Sequence, residues 1–372
     1  MNNPNTNQLA FFTLLRAGLW EQEAQLSHLG EIDYSAIYTL AEEQSVVGLV
    51  AAGIEHVSDI KLPKGTVLQF VGQTLQLEQR NNSMNAFIEE LIGKLRSEDI
   101  YTLLIKGQGI AQCYERPQWR ACGDVDLFLS KDNYDKAREL LIPLALDVEE
   151  DVKRQHLGMK IGEWSVELHG TIHGRVGHRV NKGLDEIKED IFIGGQVRSW
   201  LNRNTLIFLP SADNDVIIVF SHILQHFFEV GIGLRQICDW CRLLWTYKDS
   251  INKRLLENRL KSMGVMTEWK AFASLAVDYL GMPREAMPLY SDEKKWSKKA
   301  EKICTIIIET GNFGHKRDNS YRTRHSYLIM KFISLWRNTR DSMSYFAIFP
   351  VDAIRTWFLR LGESFRLIKA GN

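Results

Sequence analysis

The sequence predicts an α/β core, a small mixed sheet with helices, flanked by an N-terminal helical region and a longer C-terminal helical region. Apolar residues recur every three or four positions before residue 98 and again after residue 211, the period of an amphipathic helix. Between these regions, short alternating or β-rich runs are interleaved with helical pattern, the texture of an α/β unit. A chain of 372 residues is long enough for about two or three domains. Boundaries are expected to give a helical region over 1–98, an α/β core over 99–210 and a helical domain over 211–372.

In the first region, Leu14, Leu15 and Leu19 are spaced for one helical face, and Phe87, Leu91 and Leu95 repeat every four residues beside Ile88 and Ile92. Lys61-Leu62-Pro63-Lys64-Gly65 breaks the pattern between two helical groups. In the core, Ile100 to Ile105 is a β-rich apolar run, followed by a helical segment from about Gly109 to Tyr114. Asp124-Val125-Asp126-Leu127-Phe128-Leu129 alternates like a strand. Asp132 is placed to cap the next helix, which carries Tyr134, Ala137, Leu140, Leu141 and Leu144 on one face. Further strands are expected at Leu157–Ile161, Ser165–Leu168 and Thr205–Leu209. The third region reads as helices near 214–229, 234–247, 268–280, 296–309 and 323–337, with breaks at Pro283, Pro288 and Pro350.

Composition excludes several classes. Apolar residues are 45% and charged residues 25%, ordinary globular values. The longest purely aliphatic and aromatic run, Val216 to Phe220, is far short of the roughly 20 residues a membrane helix needs, so no membrane span is expected. Met1 to Gln8 lacks the basic and apolar regions of a secretory signal, so a cytoplasmic location is expected. Lys+Arg and Asp+Glu are both 46, so nucleic acid is a possible but unindicated partner. The zero balance hides an asymmetry: residues 1–100 carry six basic and thirteen acidic side chains, and residues 313–372 carry eleven and four. Opposed solvated faces explain this, or a basic C-terminal surface for phosphate or an acidic partner. Its aromatics, Trp336, Tyr345, Phe346, Trp357 and Phe365, read as core residues. Five cysteines imply no disulfide framework, and Cys238 and Cys241 have the spacing of a metal or redox half-site with no second pair nearby.

The chemistry concentrates between residues 104 and 169. On a strand, residues i and i+2 point the same way, so Asp124 and Asp126 project together while Val125 and Leu127 face the core. Adjacent carboxylates repel unless a cation sits between them. A hard divalent ion, Mg²⁺ or Mn²⁺, takes carboxylate and phosphate oxygens together, which is what phosphoryl or nucleotidyl transfer requires. Gly107 after a strand permits close approach of backbone to phosphate. Lys106 offers a point charge to it, and Arg120 a fork or a structural ion pair. Glu167 supplies a third carboxylate, with His169 on its face.

These residues in order resemble the nucleotidyltransferase superfamily typified by DNA polymerase beta, and most of all a bacterial branch with a Lys-Gly signature. The matching set is Lys106-Gly107, Tyr114, Arg120, Asp124-Val125-Asp126, Glu167-Leu168-His169, His222 and His226, and Arg235 with Asp239. The resemblance implies a polymerase-beta-like core and metal-dependent transfer of a nucleoside monophosphate from a nucleoside triphosphate (NTP) to a hydroxyl acceptor: a protein, a sugar, a metabolite or an RNA end. It implies that Asp124, Asp126 and Glu167 are catalytic and hold Mg²⁺ or Mn²⁺, and that Lys106, Gly107, Arg120, His169 and Arg235 bind the NTP. The sixteen residues between Gly107 and Asp124 exceed the usual spacing of that superfamily. A nucleotide-binding module without turnover and a metal-dependent phosphohydrolase are the alternatives.

His222 and His226 are four apart on a predicted helix and share a face; packing beneath the site, substrate contact and zinc are all compatible with that spacing. Arg235 and Asp239, also four apart, form an intrahelical ion pair or send Arg235 to the phosphates. His173 and Arg175 flank the segment after the Glu167 strand and are candidates for the acceptor side.

Overall fold

A computed structural model describes residues 5–314, 343–355 and 357–358. The chain opens with α1 (Thr6–Trp20), α2 (Tyr34–Glu43), α3 (Val47–Glu55) and the long α4 (Lys64–Ser97). The core then runs β1 (Leu103–Ile105), α5 (Gly107–Ala111), β2 (Val125–Phe128), α6 (Lys131–Leu141), β3 (Val148–Asp151), β4 (His156–Ile161), β5 (Trp164–His169), α7 (His178–Phe192), β6 (Val197–Asn202) and β7 (Thr205–Pro210). Helices follow as α8 (Ala212–Glu229), α9 (Leu234–Thr246), α10 (Lys253–Met263), α11 (Met266–Asp278) and α12 (Lys294–Thr310).

The class is mixed α/β as expected, with a larger sheet than the sequence suggested. It has seven strands in the order β3-β4-β5-β2-β1-β7-β6, mixed in sense because β2 pairs with β5 and β1 with β7 in parallel while the other pairs are antiparallel. The two strands not read from the sequence, β3 and β6, are its two edges. Edge strands bury little, so their apolar signal is weak: Val148 and Val197 are exposed. Helices α7 and α10 were also unread, since each buries only a narrow stripe, such as Val180, Leu184, Ile187 and Ile191. The cap of α6 is a correction: Ser130 accepts from the backbone of Asn133, and Asp132 lies in the first turn. The expected helix over 323–337, with Trp336, Phe365 and most of the basic C-terminal charge, lies outside the described residues. Tyr345 is buried as expected, and Phe346 is exposed.

Alternation along the strands divides the interior in two. Val125, Leu127, Val166 and Leu168 point to one face and pack with Met84, Ile88, Leu91 and Leu95 of α4 and Tyr134 and Ala137 of α6. Phe128 points to the other face and joins the cluster that includes α7, α8, α9 and α11. The sheet is thus the middle layer of three, and charged side chains on its second face meet the C-terminal helices. In the N-terminal region, α1 and α3 approach so closely that only glycine fits: a Cβ on Gly18 would lie 1.9 Å from the Leu49 carbonyl oxygen, and one on Gly53 the same distance from that of Leu14. Arg16 Nε donates to the Tyr279 carbonyl at 2.7 Å, tying α1 to the end of α11.

Residues 343–355 cover α11, burying Tyr345, Ile348, Phe349 and Ala353, and Phe349 stacks on Phe272. Glu268 of α11 is buried there. Burial first, then the charge and hydrogen bond of Asp352, push its carboxyl up to about 8. A folded-state value raised above the ordinary 4.5 means that the folded chain holds the proton more tightly. The stability this contributes is full below the ordinary value and is lost as pH rises through the folded one. Read as the difference in urea unfolding free energy between wild type and Glu268→Gln, the contribution of Glu268 is expected to fall by roughly 3 kcal/mol between pH 5 and pH 8. A difference that stays constant across that window would remove Glu268 as a source of pH dependence.

Candidate active site

Register brings the acids together. Asp126 of β2 is the direct parallel partner of Glu167 of β5, so both carboxylates leave the same face. Asp124, two residues earlier, leads into β2 on that side. One oxygen from each of Asp124, Asp126 and Glu167 can be chosen so that all lie within 4.8 Å of one another. Asp126 is buried, Glu167 is half-buried and Asp124 is exposed.

A lysine and an imidazole face this charge. Lys106 Nζ lies 2.8 Å from Asp126 Oδ1, and His169 Nε2 lies 2.8 Å from the same oxygen and 3.4 Å from Glu167 Oε2. Burial opposes the charge of Lys106, but Asp126, Glu167 and Asp124 together raise its pKa. Asp126 is desolvated, yet Lys106 and His169 hold it below the ordinary carboxylate range. Glu167 is likewise penalised by burial and held low by hydrogen bonds from His156 and His169. Asp124, exposed at its surface, is pushed up first by the charge of Asp126 and then by partial desolvation of its carboxyl among these groups. His169 is raised, because Asp126 and Glu167 outweigh its burial.

The turn after β1 delivers Lys106. Its backbone has φ 57° and ψ −146°, a region that L-residues other than glycine rarely occupy and that costs about 1–3 kcal/mol. Gly107 follows, also left-handed at φ 42°. Strain of this kind persists only where the surroundings enforce it; here it sets the lysine beside Asp126.

A cavity of about 420 Å³ opens over these residues, a size typical of small-molecule sites. Among the expected site residues, Lys106, Gly107, Arg120, Asp124, Asp126, Glu167, His169 and Arg235 all line it. So do His173, His222 and His226, and the apolar Ile105, Ile110, Ile172 and Val176.

The structure separates the roles of the two arginines. Arg120 and Asp239 form a buried bidentate pair, Nε to Oδ1 at 2.8 Å and Nη2 to Oδ2 at 2.7 Å. Tyr114 donates its hydroxyl to the same Oδ1 at 2.7 Å. Asp239 therefore reaches across to the loop rather than along its helix to Arg235. Arg235 Nη1 donates to the Ala121 carbonyl at 2.8 Å, and its Nε has no hydrogen-bond partner. Among the described residues no carboxylate lies within ion-pair distance of Arg235. That leaves a cation facing the cavity with donor capacity to spare.

His222 and His226 meet Nε2 to Nε2 at 2.9 Å. One must donate and the other accept, so at most one of them can carry a charge. Burial, with Lys106 nearby, lowers His222 well below its ordinary value and His226 to about 4. Among the described residues this pair joins no cluster of three metal-ligating side chains, and neither do Cys238 and Cys241. His173 Nε2 lies 2.6 Å from Asp185 Oδ1 at the cavity edge.

Sequence reading missed His156. It faces His169 across the β4–β5 hairpin, and its Nε2 lies 3.1 Å from Glu167 Oε2. The usable signal was the Gly162-Glu163 turn: counting back from Ile161 opposite Trp164 pairs His156 with His169.

The sequence model of the family described as "Uncharacterised nucleotidyltransferase" matches residues 30–281. Neither the comparison with curated proteins nor that with solved structures gives a match. No described helix is long and apolar enough to cross a membrane.

Proposed function

The chain belongs to the uncharacterised nucleotidyltransferase family, and from that premise we propose that its cavity transfers a nucleoside monophosphate from an NTP to a hydroxyl acceptor. The observation that carries the reading is the clustering of Asp124, Asp126 and Glu167 oxygens within 4.8 Å. The donor set fits a hard divalent ion, since three carboxylates supply only oxygen. Asp124, Asp126 and Glu167 would hold Mg²⁺ or Mn²⁺. When bound, the ion would neutralise the triphosphate and lower the pKa of the acceptor hydroxyl.

The chain's own side chains do the rest. Lys106 stands as the compensating cation at Asp126 and is placed to turn to a phosphate oxygen when that role is taken over. Arg235, lacking a carboxylate partner among the described residues, suits the phosphates. Arg120, held by Asp239, positions the loop that ends in Asp124. The depressed pKa of Glu167 makes it a weak proton acceptor, which favours a ligand's role over that of a base. The acceptor oxygen attacks the α-phosphorus as its proton passes to solvent, the bond from the α-phosphorus to the oxygen bridging the β-phosphate breaks, and pyrophosphate leaves.

The test is incubation with each of the four α-labelled NTPs, Mg²⁺ or Mn²⁺, and a host lysate. Label on an acceptor with released pyrophosphate supports transfer. Free nucleotide with no labelled acceptor favours a phosphohydrolase, and binding with no turnover favours a nucleotide-binding module. Arg235→Gln is expected to weaken ATP binding, measured by titration calorimetry, by roughly tenfold or more, the loss of a charge-assisted contact of about 1.5–3 kcal/mol. Unchanged affinity would take Arg235 off the phosphates.

A further inference from the structure

We infer that His156, Glu167 and His169 form a second metal site, beside the carboxylate trio and sharing Glu167 with it, and that it takes a borderline divalent ion of the zinc and cobalt kind rather than Mg²⁺. The three donors come from one hairpin. β4 and β5 are antiparallel with His156 directly opposite His169, and the ring centroids are 4.9 Å apart. His156 Nε2 lies 3.1 Å from Glu167 Oε2, and His169 Nε2, whose hydrogen bond goes to Asp126, lies 3.4 Å from the same oxygen. A ligating atom from each of the three lies within 4.8 Å of the others.

Those separations are the edges of a coordination polyhedron. Metal–nitrogen and metal–oxygen bonds of about 2.0–2.2 Å, at angles between octahedral and tetrahedral, set neighbouring ligands roughly 2.9–3.5 Å apart. Both nitrogen-to-Glu167 spacings fall in that range, and the third edge, between the imidazoles, is within 4.8 Å. Gly158, across from Glu167, places no side chain over the carboxylate. His156 and Glu167 side chains keep 37% and 28% of their surface exposed, so an ion can enter and keep an open position. Two imidazoles and one carboxylate favour zinc-class ions, as in catalytic zinc sites, whereas three carboxylates favour Mg²⁺. The hairpin therefore sets a nitrogen-rich donor set next to an oxygen-only one, with Glu167 between them. His169 holds Asp126 at 2.8 Å through the same Nε2, and ligation would exchange that hydrogen bond for the metal.

The nitrogen pair would bind its ion whether or not the carboxylate trio supports nucleotidyl transfer, so the two readings fail separately. The full chain, stripped with chelator, is titrated with Co²⁺ under excess Mg²⁺ and followed by visible absorption and calorimetry. Wild type is expected to take up one Co²⁺ with the visible band of a low-coordinate, nitrogen-ligated ion. His156→Ala and His156→Gln are each expected to weaken that binding by at least roughly tenfold, and Asp124→Asn to change it by no more than about twofold. Glutamine keeps a donor toward Glu167 but supplies no imidazole, so wild-type affinity in His156→Gln would reduce the cluster to hydrogen bonding. Failure of wild type to bind Co²⁺ under Mg²⁺, or loss of binding in Asp124→Asn but not in His156→Ala, would equally overturn the site. Metal-free thermal unfolding of His156→Ala within a few degrees of wild type is expected, because the side chain is partly exposed.

Discussion

Asp126→Asn is expected to lower nucleotidyl transfer by about a thousandfold or more, a loss of roughly 4 kcal/mol or more in the transition state, while the chain stays folded. Of the three acids, Asp126 is the most enclosed, at 2% exposure, and it is the one that both Lys106 and His169 address. An amide keeps its shape but loses the charge that attracts a divalent ion. The cost to the fold is smaller, about 1–3 kcal/mol for a charged partner left under-satisfied, because Lys106 still has the charges of Glu167 and Asp124 nearby. The measurement is transfer of α-labelled nucleotide at saturating NTP, with a urea midpoint on the same preparation. Near-wild-type transfer in a folded Asp126→Asn chain would remove the carboxylate trio from the reaction. Loss of transfer together with loss of the folded transition would instead assign Asp126 a structural role.

What could be read from the residues depended on how local the determining interaction was. The alternation in Asp124-Val125-Asp126-Leu127 is a local property of a strand with one face in the core, and the structure bears it out in the burial of Val125 and Leu127. Glu167 and His169 were legible in the same way, from Val166 and Leu168 on the opposite face. The joining of the two strands needed the parallel register of β2 and β5, which alternation alone does not give; there the resemblance supplied the expectation. His156 was missed because its place depends on a hairpin register and on nothing within its own strand. β3 and β6 were missed because an edge strand has little to bury. The spacing of Arg235 and Asp239 suggested a pair along one helix, worth little when exposed. A tertiary contact with Arg120, 119 positions away in the chain, replaces it.

That contact explains why the helical layer matters to the acids. The loop leading to Asp124 has little regular structure of its own between α5 and β2 beyond one turn at Pro117–Trp119. It is held from both sides of the sheet. Asn81 of α4 donates to the carbonyls of Gln118 at 2.7 Å and Arg120 at 2.9 Å, and accepts from Gln108 of α5 at 2.8 Å. From the other side, α9 sends Asp239 to the Arg120 side chain and Arg235 to the Ala121 carbonyl. The position of Asp124 is thus set by buried polar contacts on consecutive loop residues.

Asp239→Asn is accordingly expected to destabilise the fold by about 3–5 kcal/mol, the cost of leaving one member of a buried ion pair uncompensated. The Arg120 and Asp239 side chains are 5% and 6% exposed, so water cannot replace the lost charge. The carboxylate accepts from Arg120 on both oxygens and from Tyr114 on one; an amide offers one acceptor and turns its own donors toward the guanidinium. Burial disfavours the charge of Arg120, and Asp239 is what more than offsets that, so the variant keeps the penalty and loses the compensation. Tyr114→Phe, which removes one neutral donor, is expected to cost only about 1 kcal/mol. The double variant Arg120→Met, Asp239→Leu is expected to recover most of the stability lost in Asp239→Asn, since apolar replacements of similar volume remove both buried charges at once. Urea unfolding of the four chains measures this directly. A free energy for Asp239→Asn within about 1 kcal/mol of wild type would mean that the pair is solvated in solution, and the loop before Asp124 would then need another anchor. The double variant also separates stability from positioning: a chain restored in stability but slow in transfer would show that the Arg120–Asp239 pair acts on the geometry of Asp124, whereas restored transfer would show that packing alone suffices.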